Sequence, residues 1–301
     1  MQIIISGSTG FIGQNLVAYL SSQGENCIAL SLRDDDWIKR FSYNSSAVIH
    51  LAGKAHDTSN SSDSDEYFTV NRDLTIEVFE HFIKSDAKIF VYFSSVKAAS
   101  DAPKEILTED VEPTPATPYG KSKLEAERYI LARHLPAEKK VFIVRPCMVH
   151  GPGNKGNLNL LVRLVKSKLP WPLARFDNER SFLCIDNLNY LIHEVLRSPN
   201  LPSGIYNFAD DDTMSTNELV RVIGEVLGIN TEFVRIPKWL ISAGAGIGDF
   251  FKLPLNSDRL RKLTESYVVS NKKIKDGLGI SSLPNSTIDG VKKTVKAFEL
   301  N

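Results

Sequence analysis

The sequence predicts an α/β protein, a doubly wound parallel sheet with a smaller mixed α/β lobe toward the C-terminus. Three observations lead there. Short β-branched runs alternate with longer amphipathic stretches through the first half of the chain. Several of those runs are apolar at every position, as strands covered on both faces require, and the alternation loosens after residue 150. Ile3-Ile4-Ile5 lies within a first strand over 2–6, and a helix-period stretch over 11–22 follows. Strands are expected next at 26–30, 47–51, 88–94 and 141–145, with helices near 66–85 and 119–135. Only about 16 residues separate the second strand from Ala47, too few for an extra strand with its crossover helix, so the sheet is expected to be one strand short there. Glycine and proline then punctuate 151–156, 170–172 and 199–204. Beyond them we expect a helix near 215–227, a short strand Glu232-Phe233-Val234 and a terminal helix near 286–299. The first domain is expected to span 1–155 and to take back part of about 181–208, with 156–301 forming most of the second lobe.

A chain of 301 residues can bury a sizeable core, which excludes the small disulfide scaffolds. Lysine plus arginine number 36 and aspartate plus glutamate 36, so no global field attracts nucleic acid or an anionic membrane, any charged ligand must be met locally, and nucleic acid is not an expected partner. Cys27, Cys147 and Cys184 lie far apart in or beside apolar runs and read as reduced thiols of a cytoplasmic protein. They show no paired metal-ligand spacing, and no metal is expected. The chain opens directly on a strand, so no signal peptide is expected, and no membrane span either. The longest uncharged apolar stretch, 239–248, has ten residues against the ~20 that cross a bilayer. The apolar stripe over 237–251 could pack the second lobe, meet a partner or touch a membrane surface; core packing is the first expectation.

Gly7, Gly10 and Gly13 follow the first strand directly and open the first helix. There backbone can approach a pyrophosphate closely, and the helix N-terminus favours its charge. Two other glycine patterns fail on context. Gly151-Pro152-Gly153-Asn154-Lys155-Gly156 matches the dinucleotide spacing, but it does not follow a strand directly and Pro152 has no amide to donate. Gly120-Lys121-Ser122 ends like a phosphate-binding loop, but Pro115 stands where that loop needs glycine. At the end of the second strand Ser31 occupies the usual acidic position and Arg33 lies just beyond, which favours NADP(H) over NAD(H). Asp34, Asp35 and Asp36 keep NAD(H) possible, although the run reads first as a solvated helix start.

Tyr119-Gly120-Lys121-Ser122-Lys123 opens a helix after the proline-rich stretch 113–118, so Tyr119 and Lys123 share one face. A phenol with a reference pKa of about 10 exchanges protons poorly at neutral pH, whereas a fixed ammonium stabilises its phenolate. Lys123 is the candidate ammonium.

In their order along the chain, these motifs resemble the extended short-chain dehydrogenase/reductase family, specifically its nucleotide-sugar (UDP-hexose) 4-epimerases and 4-ketoreductases. The resemblance rests on Gly7-Ser8-Thr9-Gly10-Phe11-Ile12-Gly13, His50-Leu51-Ala52-Gly53, Asn71, Ser94-Ser95, Tyr119 with Lys123, Arg145-Pro146, Val149-His150-Gly151-Pro152-Gly153 and Arg180-Ser181-Phe182. It implies a Rossmann-type cofactor domain whose cofactor touches Gly7, Thr9, Gly10, Phe11, Ile12, Gly13, Ser31 and Arg33. Leu51, Ala52 and Gly53 would line the same site, with Asn71 and Ser94 beside it. Ser95 would bond the reacting sugar oxygen next to Tyr119, and Ser94 is the runner-up for that role. Pro146 and Met148 would pass the nicotinamide, Met148 would begin the sugar pocket, and Asn157, Leu158 and Arg180 would hold a uridine diphosphate. His50 reads as a strand-end structural histidine. A homodimer is what the resemblance implies.

Departures from the family pattern narrow the reaction. Val96 and Lys97 stand where the family's sugar dehydratases carry Asp-Glu, which excludes 4,6-dehydration. Ala99-Ser100 replaces a common glycine-tyrosine pair, and the usual adenine-binding aspartate has no counterpart. The expected activity is a 4-ketoreductase acting at C4 of a UDP-hexose with NADP(H); the alternative is a 4-epimerase recycling NAD(H). A non-catalytic NAD(P)-binding sensor on the same fold is a third reading, against which Tyr119, Lys123 and Ser95 together argue.

Overall fold

Five β-branched or aromatic runs of the first half form strands: β1 (Gln2–Ser6), β2 (Asn26–Leu30), β3 (Ala47–His50), β4 (Ile89–Phe93) and β5 (Lys140–Pro146). Beyond them come β6 (Met148–His150), β7 (Arg180–Cys184), β8 (Gly204–Phe208) and β9 (Thr213–Met214). The computed structural model describes residues 1–34, 36–54, 64–154, 158–251 and 256–299.

The chain divides into two units. The first comprises Met1–Cys147, Asn187–Ala209 and Val269–Ser282. Its sheet has the order β2-β1-β3-β4-β5-β8, with every neighbouring pair parallel. The short link between β2 and β3 contains one helix, α2 (Trp37–Arg40), after α1 (Phe11–Ser22), and β3 pairs directly with β1. No further strand lies between them among the described residues, as the short spacing predicts. Helices α3 (Ser64–Phe68), α4 (Leu74–Lys84) and α5 (Pro118–Ala132) complete the regular alternation. Ile4, Val48, Phe90 and Ile143 from four strands pack with Val78, Phe79 and Phe82 of α4 and Ala126 and Ile130 of α5 in one core.

One expected element differs in kind. The continuous helix read over 66–85 is interrupted between α3 and α4 by a π-helical turn at Thr69–Asp73. The main-chain oxygen of Asn71 accepts the Thr75 hydroxyl at 2.8 Å and the Tyr92 hydroxyl at 3.4 Å. Such single π turns recur at functional sites because the extra residue re-aims a side chain inward.

The second unit comprises Met148–Asp186, Asp210–Val268 and Leu283–Asn301. Its small mixed sheet pairs β6 parallel and β9 antiparallel to β7. Helices α6 (Leu158–Lys166), α8 (Thr216–Leu227), α9 (Lys238–Phe251), α10 (Ser257–Thr264) and α12 (Thr287–Glu299) belong to it. Helix α7 (Ile185–Arg197) runs mostly, and α11 (Lys272–Leu278) wholly, within the first unit. The expected strand over 232–234 is reduced to a single bridge, Trp171 with Phe233. Trp171 nonetheless both donates to Glu232 O at 2.7 Å and accepts from Val234 N at 2.9 Å. Helix α8 matches its reading closely, because Ser215 and Glu218 form a reciprocal capping box and Gly228 closes the C-terminus at φ +64°.

The stripe over 237–251 departs from the core packing expected of it. Of α9, Ile241, Ala245 and Gly248 are buried, while Trp239, Leu240, Ile247 and Phe250 are exposed. Apolar periodicity signals a face that avoids water but not whether the same chain covers it. No helix among the described residues is long and apolar enough to cross a membrane. Cys147 and Cys184 are buried and Cys27 is half-buried, and none of the three is in a disulfide.

Candidate active site

The turn after β1 is shaped by close backbone approach. Gly7 has φ +71°, a conformation that L side chains rarely adopt, and a Cβ there would stand 2.6 Å from Ala52 N. A Cβ on Gly13 would stand 2.3 Å from Gly7 O. The turn closes through Gly10 N donating to Gly7 O at 3.1 Å. Gly10 then caps α1 with no side-chain bond, and the first turn of α1 holds no acidic residue. Amides at the start of α1, those of Phe11 and Ile12 included, are therefore open to an anion. Leu51 and Ala52 form the opposite wall through their backbone contact with Gly7. A dinucleotide's pyrophosphate fits this cradle, in which the glycines leave room that any side chain would fill.

At the tip of β2, Ser31 and Arg33 are exposed. A second guanidinium, which sequence reading missed, turns back from α2: Arg40 donates to Ser31 O at 3.1 Å and to Asp34 Oδ1 at 2.8 Å. Its only sequence signal was a basic last turn on a short helix. Asp36 pairs with Lys39 at 2.7 Å, so Asp34 and Asp36 form the solvated helix start that was expected; Asp35 lies outside the described residues.

Tyr119, Lys123, Ser95 and Asn71 are drawn together by four local devices. Ser94 and Ser95 follow β4, and successive residues of an extended chain point to opposite sides. Ser94 turns into the core and donates its hydroxyl to Glu127. Ser95 turns to Tyr119, with which it shares a side-chain hydrogen bond, and its oxygen also caps the 3₁₀ turn Val96–Ala98 by accepting Lys97 N at 3.2 Å. Between the two serines the structure favours Ser95 as the residue beside Tyr119, and it leaves only the backbone of Ser94 for the expected cofactor contact. Thr117 caps α5, accepting Gly120 N at 3.2 Å, with Pro118 in the first turn. Gly120 lets that helix touch the turn carrying Ser95, since a Cβ there would meet Lys97 O at 2.4 Å. Asp101, which nothing in the sequence singled out, clamps the approach to α5 by accepting Ala116 N at 2.7 Å, Thr117 N at 3.1 Å and the Thr117 hydroxyl at 3.2 Å.

Asn71 is fully buried, and its side chain is committed to the protein. Its Oδ1 accepts Lys54 N at 2.8 Å, and its Nδ2 donates to Lys54 O at 3.1 Å and to the Ser122 hydroxyl at 3.2 Å. It ties the loop after β3 to α5. Gly53 belongs to the same cluster: a Cβ there would stand 2.9 Å from Asn71 Oδ1 and 3.1 Å from Lys123 Nζ.

Lys123 is buried on α5, donates to Phe93 O at 2.9 Å and lies 5.0 Å above the Tyr92 ring. Burial lowers its pKa to about 8, against the opposing pull of Glu127. Burial likewise pushes the Tyr119 phenol above its usual value, while the Ser95 hydrogen bond works the other way. One turn further along α5, Glu127 receives Arg145 through Nε at 2.9 Å and Nη2 at 2.5 Å, in addition to Ser94. Both members of that ion pair are only 1% exposed. Glu127 escaped sequence reading because its partners lie 18 and 33 residues away.

His50 is a structural residue, as expected. It is fully buried and bonded to Ser6 Oγ at 2.7 Å and Thr75 Oγ1 at 3.0 Å, and burial lowers its pKa to about 3, so it stays neutral. Pro146 is buried at the end of β5. Met148, Leu158 and Arg180 lie in the second unit. Met148 packs against its core, where the Leu158 side chain is 2% exposed, so Leu158 could meet a ligand only through backbone. Arg180 opens β7 and donates to the backbone of Lys262 and, at 3.4 Å, of Glu265. Asn157 falls outside the described residues. Among the described residues no group of histidine, cysteine or carboxylate side chains could hold a metal.

Comparison with known proteins gives the same picture along the chain. Residues 3–209 match the sequence profile of the NAD dependent epimerase/dehydratase family. The chain is similar to a UDP-glucose 4-epimerase of Vibrio cholerae, 30% identical across 98% of this chain and 95% of that one. It is also similar to a GDP-6-deoxy-D-mannose reductase of Pseudomonas aeruginosa, 23% identical across 78% of this chain and 83% of that one. The structure of RMD from Pseudomonas aeruginosa complexed with NADPH shares the fold at a TM-score of 0.76 and 20% identity, covering 100% of this chain and 99% of that one.

The Glu127–Arg145 pair yields a stability prediction. Glu127→Ala strands a buried guanidinium and is expected to cost about 3–5 kcal/mol, whereas the paired change Glu127→Leu with Arg145→Met is expected to recover most of that loss. Urea unfolding of the three proteins measures both effects; a single variant within ~1 kcal/mol of wild type would show that the pair carries little.

Proposed function

Since the chain belongs to the NAD dependent epimerase/dehydratase family, we propose that it is an NADP(H)-dependent 4-ketoreductase acting at C4 of a UDP-hexose. It is an enzyme of the NAD(P)-dependent nucleotide-sugar epimerase and reductase type. The observation that carries the finer reading is the tip of β2. Ser31 stands there in place of an acidic residue, with the guanidinium groups of Arg33 and Arg40 exposed beside it. An acidic side chain would select the ribose 2′-hydroxyl of NAD, whereas two cations suit the 2′-phosphate of NADP. The first unit is the proposed cofactor domain and the second the proposed substrate lobe.

When bound, a reduced nicotinamide cofactor would supply hydride for the C4 carbonyl carbon. Ser95 holds the C4 oxygen by a hydrogen bond, and Tyr119 protonates that oxygen as negative charge develops on it. The raised pKa of Tyr119 suits this direction, because the phenol is protonated at neutral pH and ready to donate. Lys123 stabilises the phenolate left behind, and its bond to Phe93 O fixes where its charge sits. Asn71 acts through position alone, holding the loop after β3 against α5. Arg180, Met148, Asn157 and the backbone of Leu158 are the proposed substrate contacts; Asn157 lies outside the described residues.

A 4-epimerase is the second reading, favoured by the 30% identity to the Vibrio enzyme over nearly the whole chain. In it Tyr119 would first accept the C4 hydroxyl proton and later return it, with no net change of the cofactor. Denaturing freshly purified protein and identifying the released nucleotide separates the two. A protein that releases little nucleotide and consumes NADPH with 4-keto UDP-sugars supports the reductase; stoichiometric NAD⁺ with no net NADPH consumption supports the epimerase.

Three outcomes follow from these assignments. Tyr119→Phe is expected to lower kcat by roughly 10²–10⁴-fold while nucleotide binding, read by titration calorimetry, stays within a few-fold of wild type. Because the folded pKa of Lys123 lies near 8, its charge is lost as pH rises through that value; kcat/KM is therefore expected to fall on an alkaline limb near pH 8, well below the range of an exposed lysine. Arg33→Ala and Arg40→Ala are each expected to weaken NADPH by roughly tenfold or more while leaving NADH within a few-fold, from the charge-assisted bonds lost. Equal losses for both nucleotides would remove the basis for preferring NADP(H).

A further inference from the structure

We propose that the outer face of α9 is a docking surface for an anionic lipid bilayer, holding the second unit against the headgroup region. Three observations carry this. The first is exposure concentrated on one helix: Trp239 is 71% exposed, Leu240 49%, Ile247 57% and Phe250 83%. Trp239, Ala243, Ile247 and Phe250 follow one another at helical spacing and lie on one face with Leu240 at its margin, opposite the buried stripe of Ile241, Ala245 and Gly248. Exposed apolar residues scattered singly are ordinary, but two large aromatics and two aliphatics on one 14-residue helix are not.

The second observation is charge. The whole chain is neutral, yet residues 235–262 hold six cations, Arg235, Lys238, Lys252, Arg259, Arg261 and Lys262, against two carboxylates, Asp249 and Asp258. Both carboxylates are engaged: Asp249 accepts Ser257 N at 3.0 Å and the Ser257 hydroxyl at 2.5 Å, and Asp258 pairs with Arg261 at 3.1 Å and Lys262 at 2.6 Å. Along the sequence, cations stand on both sides of a stretch that carries no charge between 239 and 248; Arg261 and Lys262 among them are the partners of Asp258, and Lys252 lies outside the described residues. An apolar strip with aromatic ends and a basic rim is the pattern of helices that lie in the plane of a membrane interface.

The third is the mismatch with a second copy of the chain. A two-fold contact places the same patch on both sides, so each basic rim would face another and repel it. Anionic headgroups meet that rim with opposite charge and its apolar centre with acyl chain. The helix is too short and too glycine-rich to span, so the association is peripheral. This inference is independent of whether the reaction is reduction or epimerisation.

The full chain supplies its own reporter. Trp37 and Trp171 are buried, so a change of tryptophan emission on adding vesicles comes from Trp239. The protein is mixed with vesicles of phosphatidylcholine alone or enriched in phosphatidylglycerol and then sedimented. We expect co-sedimentation with the anionic vesicles, a blue shift of emission, and weakening as salt rises. Trp239→Ser with Phe250→Ser is expected to lower the bound fraction roughly tenfold or more while nucleotide binding is unchanged, since neither side chain supports the core. Wild-type protein left in the supernatant at low salt overturns the proposal, as does equal vesicle binding by the double variant. A wild-type dimer that the same variant converts to monomer, without lipid binding, assigns the face to a second copy instead.

Discussion

One carboxylate holds the chemistry of the first unit in place. Glu127 is buried beneath Lys123 and is met by Arg145 and Ser94, so a single negative charge answers two buried cations. Burying charge costs several kcal/mol per ion unless it is paired and hydrogen-bonded, and here the pairing is incomplete because Nη1 of Arg145 has no partner among the described residues. The surplus is positive, and Lys123 lies one turn of helix before Glu127. That imbalance disfavours the resting state slightly and favours a state in which negative charge appears nearby, as it does when a phenol gives up its proton. The depressed pKa of Lys123 comes from its burial, which Glu127 offsets only in part.

Bringing α5 against the turn that carries Ser95 and against the loop after β3 is a matter of backbone distances, which explains why glycines line these junctions. Gly120 lets α5 touch the turn that presents Ser95, and Gly53 leaves space beside Lys123 and Asn71. Gly7 does the same between β1 and the segment after β3. Ser6 reinforces that junction, since its hydroxyl bonds His50 at 2.7 Å and accepts Ala52 N at 3.3 Å. His50 thus works as a strut, and its neutrality follows from its burial, to which the nearby Lys123 cation adds.

The sequence made the first unit legible because each element there is long enough to show its period. Uniformly apolar runs marked β1, β3 and β4, and placement after a strand separated the Gly7 turn from its imitations. The spacing of Tyr119 and Lys123 also survived, because a helix fixes it locally. Asp101 and Glu127 were invisible because each acts on partners distant in sequence that only the fold brings close. The π turn was invisible for another reason: Thr69–Asp73 keeps a helical composition, and the extra residue is set by what Asn71 bonds. In the second unit, β6 and β9 have only three and two residues, and no period develops in them. Helix α9 was legible as an apolar stripe, but its exposure depends on how little of the unit reaches it.

The tip of β2 shows how cofactor choice can rest on weak interactions. Asp34 would oppose a 2′-phosphate if it were free, but it is paired with Arg40, and both groups are about half exposed. An exposed pair of this kind contributes roughly 0.2–1 kcal/mol. A phosphate carrying nearly two negative charges would draw Arg40 away from Asp34 at little cost, with Arg33 already free of an acidic neighbour at position 31. A ribose hydroxyl offers no such gain and would leave the Arg40–Asp34 pair intact. On the proposed NADP(H) reading, discrimination at this tip would depend on what the guanidinium groups gain from a phosphate, with Asp34 as the resting counter-ion of Arg40.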